Sequence, residues 1–206
     1  MSTDTQPEAP EKQATADRIR EQALVLYANR GFNATATRDV ANATGISPGL
    51  VTYHYPKKAD LFRAAITVPY EAFVADLRRC IQATDRSPRD RLRDVINRLG
   101  SLSATETLLI RAVFRELVTA PEHLSDLIGV FRSGHVTVIV TAINDAAESG
   151  ALPKGVGAGL LPALMGATVL PAILVTNLQF KAPKMEFADA ILGWARHDLL
   201  VLLGLE

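Results

Sequence analysis

Apolar residues along this chain recur at helical spacing, and strict two-residue alternation is nowhere sustained. Ile19, Ala23, Leu26 and Tyr27 fall at i, i+4, i+7 and i+8, with Thr15 placed to cap the start, Asp17 in the first turn and Gly31 to end it. The longest stripe runs through Leu124, Leu127, Ile128, Phe131, His135, Val138, Ile139, Ala142 and Ala146, opened by Pro121-Glu122 and closed by Gly150. Between these the pattern predicts helices from about Lys57 to Thr84, kinked at Pro69, from Pro88 to about Gly100, and from about Ala104 to Ala120. Two more follow, at about 158–178 and from about Glu186 to Leu203, while residues 1–14 read as a loose tail. The chain is therefore expected to be all-α, with about nine helices.

The stretch from Gly155 to Phe180 carries no charged side chain, and it is long enough to cross a hydrocarbon layer of roughly 30 Å, which takes about 20 residues. Its glycines, Pro162, Pro171, Thr168, Thr176 and Asn177 make it a poor uninterrupted span. A helix buried on all sides, in a core or between subunits, fits better, because an apolar helix must be covered by something. No membrane association is expected.

Residues 37–54 carry the most specific local pattern. Thr37 can cap a short helix ending at Thr44, Gly45 supplies a left-handed turn, and Ser47-Pro48 restarts the chain as an N-cap followed by proline in the first helical position. Pro56 stops this second helix after about two turns. Small Ala41 lies where the helices would cross, with Val40, Ile46 and Val51 as the apolar wedge. Two short helices on a tight glycine turn make a helix-turn-helix. At about 100° per residue, an inward Val51 leaves Ser47, Pro48 and Tyr55 on or near its side and turns Gly49, Leu50, Thr52 and Tyr53 outward. Such an outward face suits a groove, with Leu50 or Thr52 against a thymine methyl and Thr52 or Tyr53 bonding to bases or phosphates. His54 sits at the edge, equally placed for the duplex backbone or the core. Lys58 and Thr37 lie where helix N-termini favour a phosphate.

Residues 15–62 resemble the N-terminal domain of the TetR family of transcriptional regulators: a first helix ending in Gly31-Phe32, the helix-turn-helix with Gly45-Ile46-Ser47-Pro48-Gly49, then Tyr53-His54-Tyr55-Pro56-Lys57-Lys58 leading into Leu61-Phe62. The resemblance implies a three-helix DNA-binding domain over 15–62 and an α-helical ligand-binding and dimerisation domain over 63–206. It also implies DNA contacts from Thr37, Ser47, Pro48, Gly49, Leu50, Thr52, Tyr53, His54 and Lys58, with Lys58 on a phosphate. The chain departs from the family pattern in carrying Thr52 where an aromatic is frequent and Pro48 where lysine or another polar residue is frequent. A pocket between about 88 and 180 and a homodimer through the last two helices are further implications. The uncharged segment together with Phe187, Ile191, Trp194, Val201 and Leu202 offers apolar surface for that interface. Polar or bulky groups on otherwise apolar helices nominate Glu106, Arg111, Phe114, Phe131, His135, Met165 and Asn177 for a lipophilic or mildly polar small molecule.

Composition refines this picture. Among 206 residues, 22 basic and 22 acidic side chains cancel, which taken alone argues against a nucleic-acid partner. The cancellation is local: residues 1–11 sum to −3, residues 12–63 to +4, and the remainder to −1. With 48% apolar residues the chain can bury a sizeable core, and the lone Cys80 suits a reducing, cytoplasmic setting as a small core residue. An enzyme is a rival class, but His54, His123, His135 and His197 lack metal-ligand spacing, and no nucleophile motif appears. Gly155-Val156-Gly157-Ala158-Gly159 has no strand before it and reads as a loop. No cofactor or metal is expected. An all-α interaction module whose helix-turn-helix does not bind DNA is the other rival. The expected function is a ligand-responsive regulator, a repressor that holds a palindromic operator as a dimer.

Overall fold

Ala9–Arg30 forms the first helix, α1, which starts upstream of the Thr15 cap and takes in part of the expected tail. Glu11, Lys12 and Gln13 are good helix formers, and Gln13 Nε2 donates to Asp17 Oδ1 one turn on at 2.8 Å. The computed structural model describes residues 9–152 together with His197, Leu200 and Val201. Within them lie α2 (Thr37–Thr44), α3 (Pro48–His54), α4 (Lys58–Gln82), α5 (Pro88–Leu99), α6 (Ala104–Thr119), α7 (Ser125–Phe131) and α8 (Thr137–Glu148), and no strand. The helices expected after residue 152 lie outside the described residues.

The turn between α2 and α3 is built as its sequence requires. Gly45 sits at φ 71°, ψ 27°, and its N–H and that of Ile46 bond back to Asn42 and Ala41. Ser47 Oγ accepts from the Leu50 amide at 3.2 Å, with Pro48 in the first helical position. Thr37 does not cap α2: it is the first residue within the helix. Ala36 takes the cap position, and Asp39 Oδ2 accepts the Ala36 amide at 2.8 Å. Arg18 of α1 donates to the Thr44 carbonyl at 2.9 Å and so binds the end of α2 to α1. No atom lies within 4 Å of where a Cβ at Gly45 would stand, so Gly45→Ala is expected to cost about 1 kcal/mol through backbone strain alone. Urea unfolding measures this, and an unchanged midpoint would mean the turn does not depend on the left-handed conformation.

Two apolar clusters share α4. In the first, Ile19, Ala23 and Tyr27 of α1, Val40, Ala41 and Val51 of the helix-turn-helix, Leu61 to Val74 of α4, and Leu109 and Ala112 of α6 are buried together. In the second, Leu77 of α4 meets Leu92, Val95 and Ile96 of α5 and Val138 to Ala146 of α8. Position 62/63, the expected domain boundary, falls inside α4, which runs on through Pro69 as one helix. Cys80 is half-buried against the second cluster, and its thiol reaches the Asp76 carbonyl at 3.5 Å.

The long stripe from 124 to 146 is one run of helix with a break in it. Pro121–Leu124 is a tight 3₁₀ turn, α7 follows, Arg132–Val136 is a wide π turn with Gly134 at φ −88°, ψ −114°, and α8 completes the run. Periodicity could not register this, because the apolar spacing continues through the break. The run is long and apolar enough by composition to cross a membrane, yet α8 spends its apolar face on the second cluster, as a core helix does. Leu200 packs against that same cluster, whereas Val201 is exposed.

Candidate functional site

The outer face of α3 is formed by Ser47, Pro48, Gly49, Thr52 and Tyr53, all exposed, with Tyr53 at 55% of its full accessibility. Ser47 and Pro48 were expected near the inner side but lie outside, because the N-cap and first turn project beyond the wedge made by Val51. Leu50, expected outside, is half-buried. Thr52 Oγ1 donates back to the Pro48 carbonyl at 3.1 Å. His54 is half-buried and packs edge-on to Tyr53 at 5.4 Å; burial, reinforced by Lys12, lowers its pKa. Lys12 Nζ stands 4.8 Å from the centre of the Tyr53 ring, so the extended start of α1 places a cation beside α3. Sequence reasoning missed this residue because it assigned it to the tail.

Lys58 does not extend freely into solvent. Its ammonium lies 4.3 Å from the centre of the Phe32 ring; burial lowers its pKa, with Glu116 and Asp39 acting in the opposite direction. Glu116, from α6, is the deepest carboxylate described, only 2% exposed. It accepts the Phe32 amide at 2.7 Å and His123 Nδ1 at 2.7 Å, and the His123 ring packs on Phe32 at 4.4 Å. One side chain thus fastens the loop between α1 and α2 to the body of the protein. No sequence signal marked it.

On α6, residues near Glu116 but on another face line a cavity of about 310 Å³. Leu109, Ile110, Val113, Phe114 and Leu117 form one wall, Tyr70 and Phe73 of α4 another, and Leu99, Leu102, Phe131 and His135 close it. Of the nominated ligand residues, the fold brings Glu106, Phe114, Phe131 and His135 together here, and Arg111 is not among the lining residues. Arg111 sits half-buried near Arg115; desolvation, and secondarily that second cation, lower its pKa. Met165 and Asn177 lie outside the described residues.

Tyr70 is the cavity's central polar group. Its hydroxyl enters the break between α7 and α8, accepting the His135 amide at 3.0 Å and lying 2.9 Å from His135 Nδ1. The Val130 and Phe131 carbonyls stand within 3.4 and 3.3 Å of it. Burial raises the Tyr70 pKa and lowers that of His135, so both groups are neutral near pH 7. A Cβ at Gly134 would lie 2.0 Å from the Tyr70 oxygen, so glycine at this position is what allows the hydroxyl in. α4 therefore joins this cavity at Tyr70 to the helix-turn-helix at Lys58.

Residues 19–65, which span α1 to the first turns of α4, match the family described as bacterial regulatory proteins, tetR family. Over this segment the chain is similar to the TetR family. Among curated relatives, it is 24% identical over 107 residues to a protein named "Probable HTH-type transcriptional regulator YttP" of Bacillus subtilis (strain 168), covering 52% of each chain. It is 28% identical over 110 residues to the HTH-type transcriptional regulator AcrR of Shigella flexneri, covering 52% of this chain and 51% of that one. It thus spans about half the length of the curated relatives it matches. The fold extends further: a crystal structure of a bacterial regulatory protein in the tetR family from Rhodococcus RHA1 superposes with a TM-score of 0.63 at 24% identity, covering 89% of this chain and 95% of the other. The all-helical architecture of the described residues and the helix-turn-helix agree with the reading of the sequence.

Proposed function

We propose that this chain is a cytoplasmic, ligand-responsive transcriptional regulator, a repressor that holds a palindromic operator as a dimer and is released when a small molecule enters the cavity between α4, α5, α6 and the broken α7–α8 run. One observation carries the reading: α4 and α6 wall the cavity and are also the helices against which α1 packs, and α1 in turn carries α2 and α3. A ligand that shifts them changes how the two α3 helices of a dimer are spaced over successive major grooves. Coupling of about 1–3 kcal/mol changes operator affinity by roughly 5–150-fold. The dimer forms through the last two helices, whose uncharged first segment offers the required apolar surface.

On the DNA side, Thr52 presents its methyl to a base, Tyr53 bonds to a base or phosphate, and Lys58 and Lys12 supply charge to the backbone. Footprinting the purified protein on DNA flanking its own gene is the deciding experiment. A protected palindrome is the expected result, and none there or in a genome-wide pull-down counts against the reading. Tyr53→Ala and Lys58→Ala are each expected to weaken operator binding about tenfold while sedimentation shows an unchanged dimer. If both variants bind the operator like the parent, these contacts are wrongly assigned.

A further inference from the structure

We infer that the cavity takes an uncharged molecule, mostly hydrocarbon, with one oxygen acceptor that meets His135 at the break in the α7–α8 run. The inference rests on the reading of this cavity as the effector site, and it is carried by how the polar groups around it are already committed.

The walls offer Phe73, Leu99, Leu109, Val113, Phe114 and Phe131, and their charged neighbours are spent. Glu106 caps its own helix by accepting the Ser103 amide at 2.7 Å, and its carboxylate is closely paired with the Arg98 guanidinium. Arg98 is in turn held by Asp76 at 3.0 Å and by the Ser101 carbonyl at 2.9 Å. Among the described lining residues a ligand carboxylate would find no free cation. A ligand ammonium would find no free anion among them, and the face of Phe73 already lies under Arg98, 4.7 Å from the ring centre. Either charge would be desolvated without compensation.

A neutral head group does have a partner. The Tyr70 hydroxyl accepts from the His135 amide, and its own proton can be given to His135 Nδ1 at 2.9 Å. Nδ1 is the nearest of the acceptors around that hydroxyl, ahead of the Phe131 and Val130 carbonyls at 3.3 and 3.4 Å, and with the tyrosine proton on that bond the ring carries its own on Nε2, which has no partner among the described residues, on a side chain that lines the cavity. A ketone, ester, ether or alcohol oxygen complements it.

The test is calorimetric titration of the full-length protein at pH 7.5 with 2-octanone, 1-octanol, octanoate and octyltrimethylammonium, which share one hydrocarbon length and differ in the head. The ketone and alcohol are expected to bind at least about tenfold more tightly than either ion. His135→Phe should remove most of the ketone's advantage while thermal unfolding confirms that the variant is folded. Equal or tighter binding of octanoate or octyltrimethylammonium overturns the inference, and so does the failure of all four to bind. If His135→Phe is folded and retains the ketone affinity, the assignment of the head group falls. Operator binding is measured on the same samples by fluorescence anisotropy. Protein that prefers the ketone yet holds no DNA refutes the regulator reading and leaves the pocket chemistry standing.

Discussion

Glu116→Ala is expected to lower unfolding stability by about 3 kcal/mol, the range found when one partner of a buried charged hydrogen-bond pair is removed. The carboxylate is 2% exposed and holds the Phe32 amide and His123 Nδ1, both at 2.7 Å. Alanine leaves that amide without its acceptor, removes the partner of His123, and opens space beneath the Phe32 ring. Glu116→Gln keeps an acceptor for the amide and should cost about 1 kcal/mol. The readout is the midpoint of urea unfolding, and an alanine variant within about 0.5 kcal/mol of the parent would refute this account. A functional consequence accompanies it. Glu116 lies on α6 among Val113, Phe114 and Leu117, which line the cavity, and it grips the loop that leads into α2. The alanine variant should bind operator but respond less to ligand, because one of the contacts joining pocket to head is gone.

Gly134→Ala is the second large effect. The new Cβ would stand 2.0 Å from the Tyr70 oxygen, 2.8 Å from Cζ and 3.1 Å from Cε1, so the tyrosine ring must leave the break. Expulsion forfeits the hydrogen bond from the His135 amide and forces repacking in the cavity, about 3 kcal/mol together. Tyr70→Phe alone should cost about 1 kcal/mol. The double variant separates the two causes. If the clash with the hydroxyl dominates, Gly134→Ala combined with Tyr70→Phe is less destabilised than the sum of the single changes by more than about 0.5 kcal/mol. Strict additivity would mean the hydroxyl does not hold the break open. Recovery is expected to be partial, since the ring carbon at 2.8 Å remains.

The parts of this protein legible in its sequence are those where local chemistry decides. Gly45, the Ser47-Pro48 restart and the small Ala41 specify a turn whose alternatives are strained or uncapped, and α2 and α3 fold as that pattern requires. Cap and breaker residues likewise placed α5 and α6, both of which start on a serine that accepts an amide from the first turn. Where two local options were close in energy, tertiary context chose between them. Asp39 rather than Thr37 completes the start of α2, and α1 reaches back to Ala9 with Lys12 beside Tyr53.

Side-chain faces were less legible. A helical wheel turns Leu50 outward and treats Arg111 and Glu106 as equivalent polar intrusions. In the fold Leu50 is half-buried, Glu106 lines the cavity in the grip of Arg98, and Arg111 lies off it beside Arg115.

By itself, then, the sequence determined the all-α class, the helix-turn-helix with its exposed Thr52 and Tyr53, and the separation of a basic head from a neutral apolar body. Each of these depends on residues within a few turns of one another, where backbone conformation and side-chain spacing leave little choice. Only the tertiary structure decided that the long apolar run is broken at Gly134, that Tyr70 fills the break, and that Glu116 locks Phe32 to α6. Those depend on partners separated by 65 and 84 positions, brought together by helix packing. Such a hydrogen bond leaves no periodic trace in either of the segments it joins.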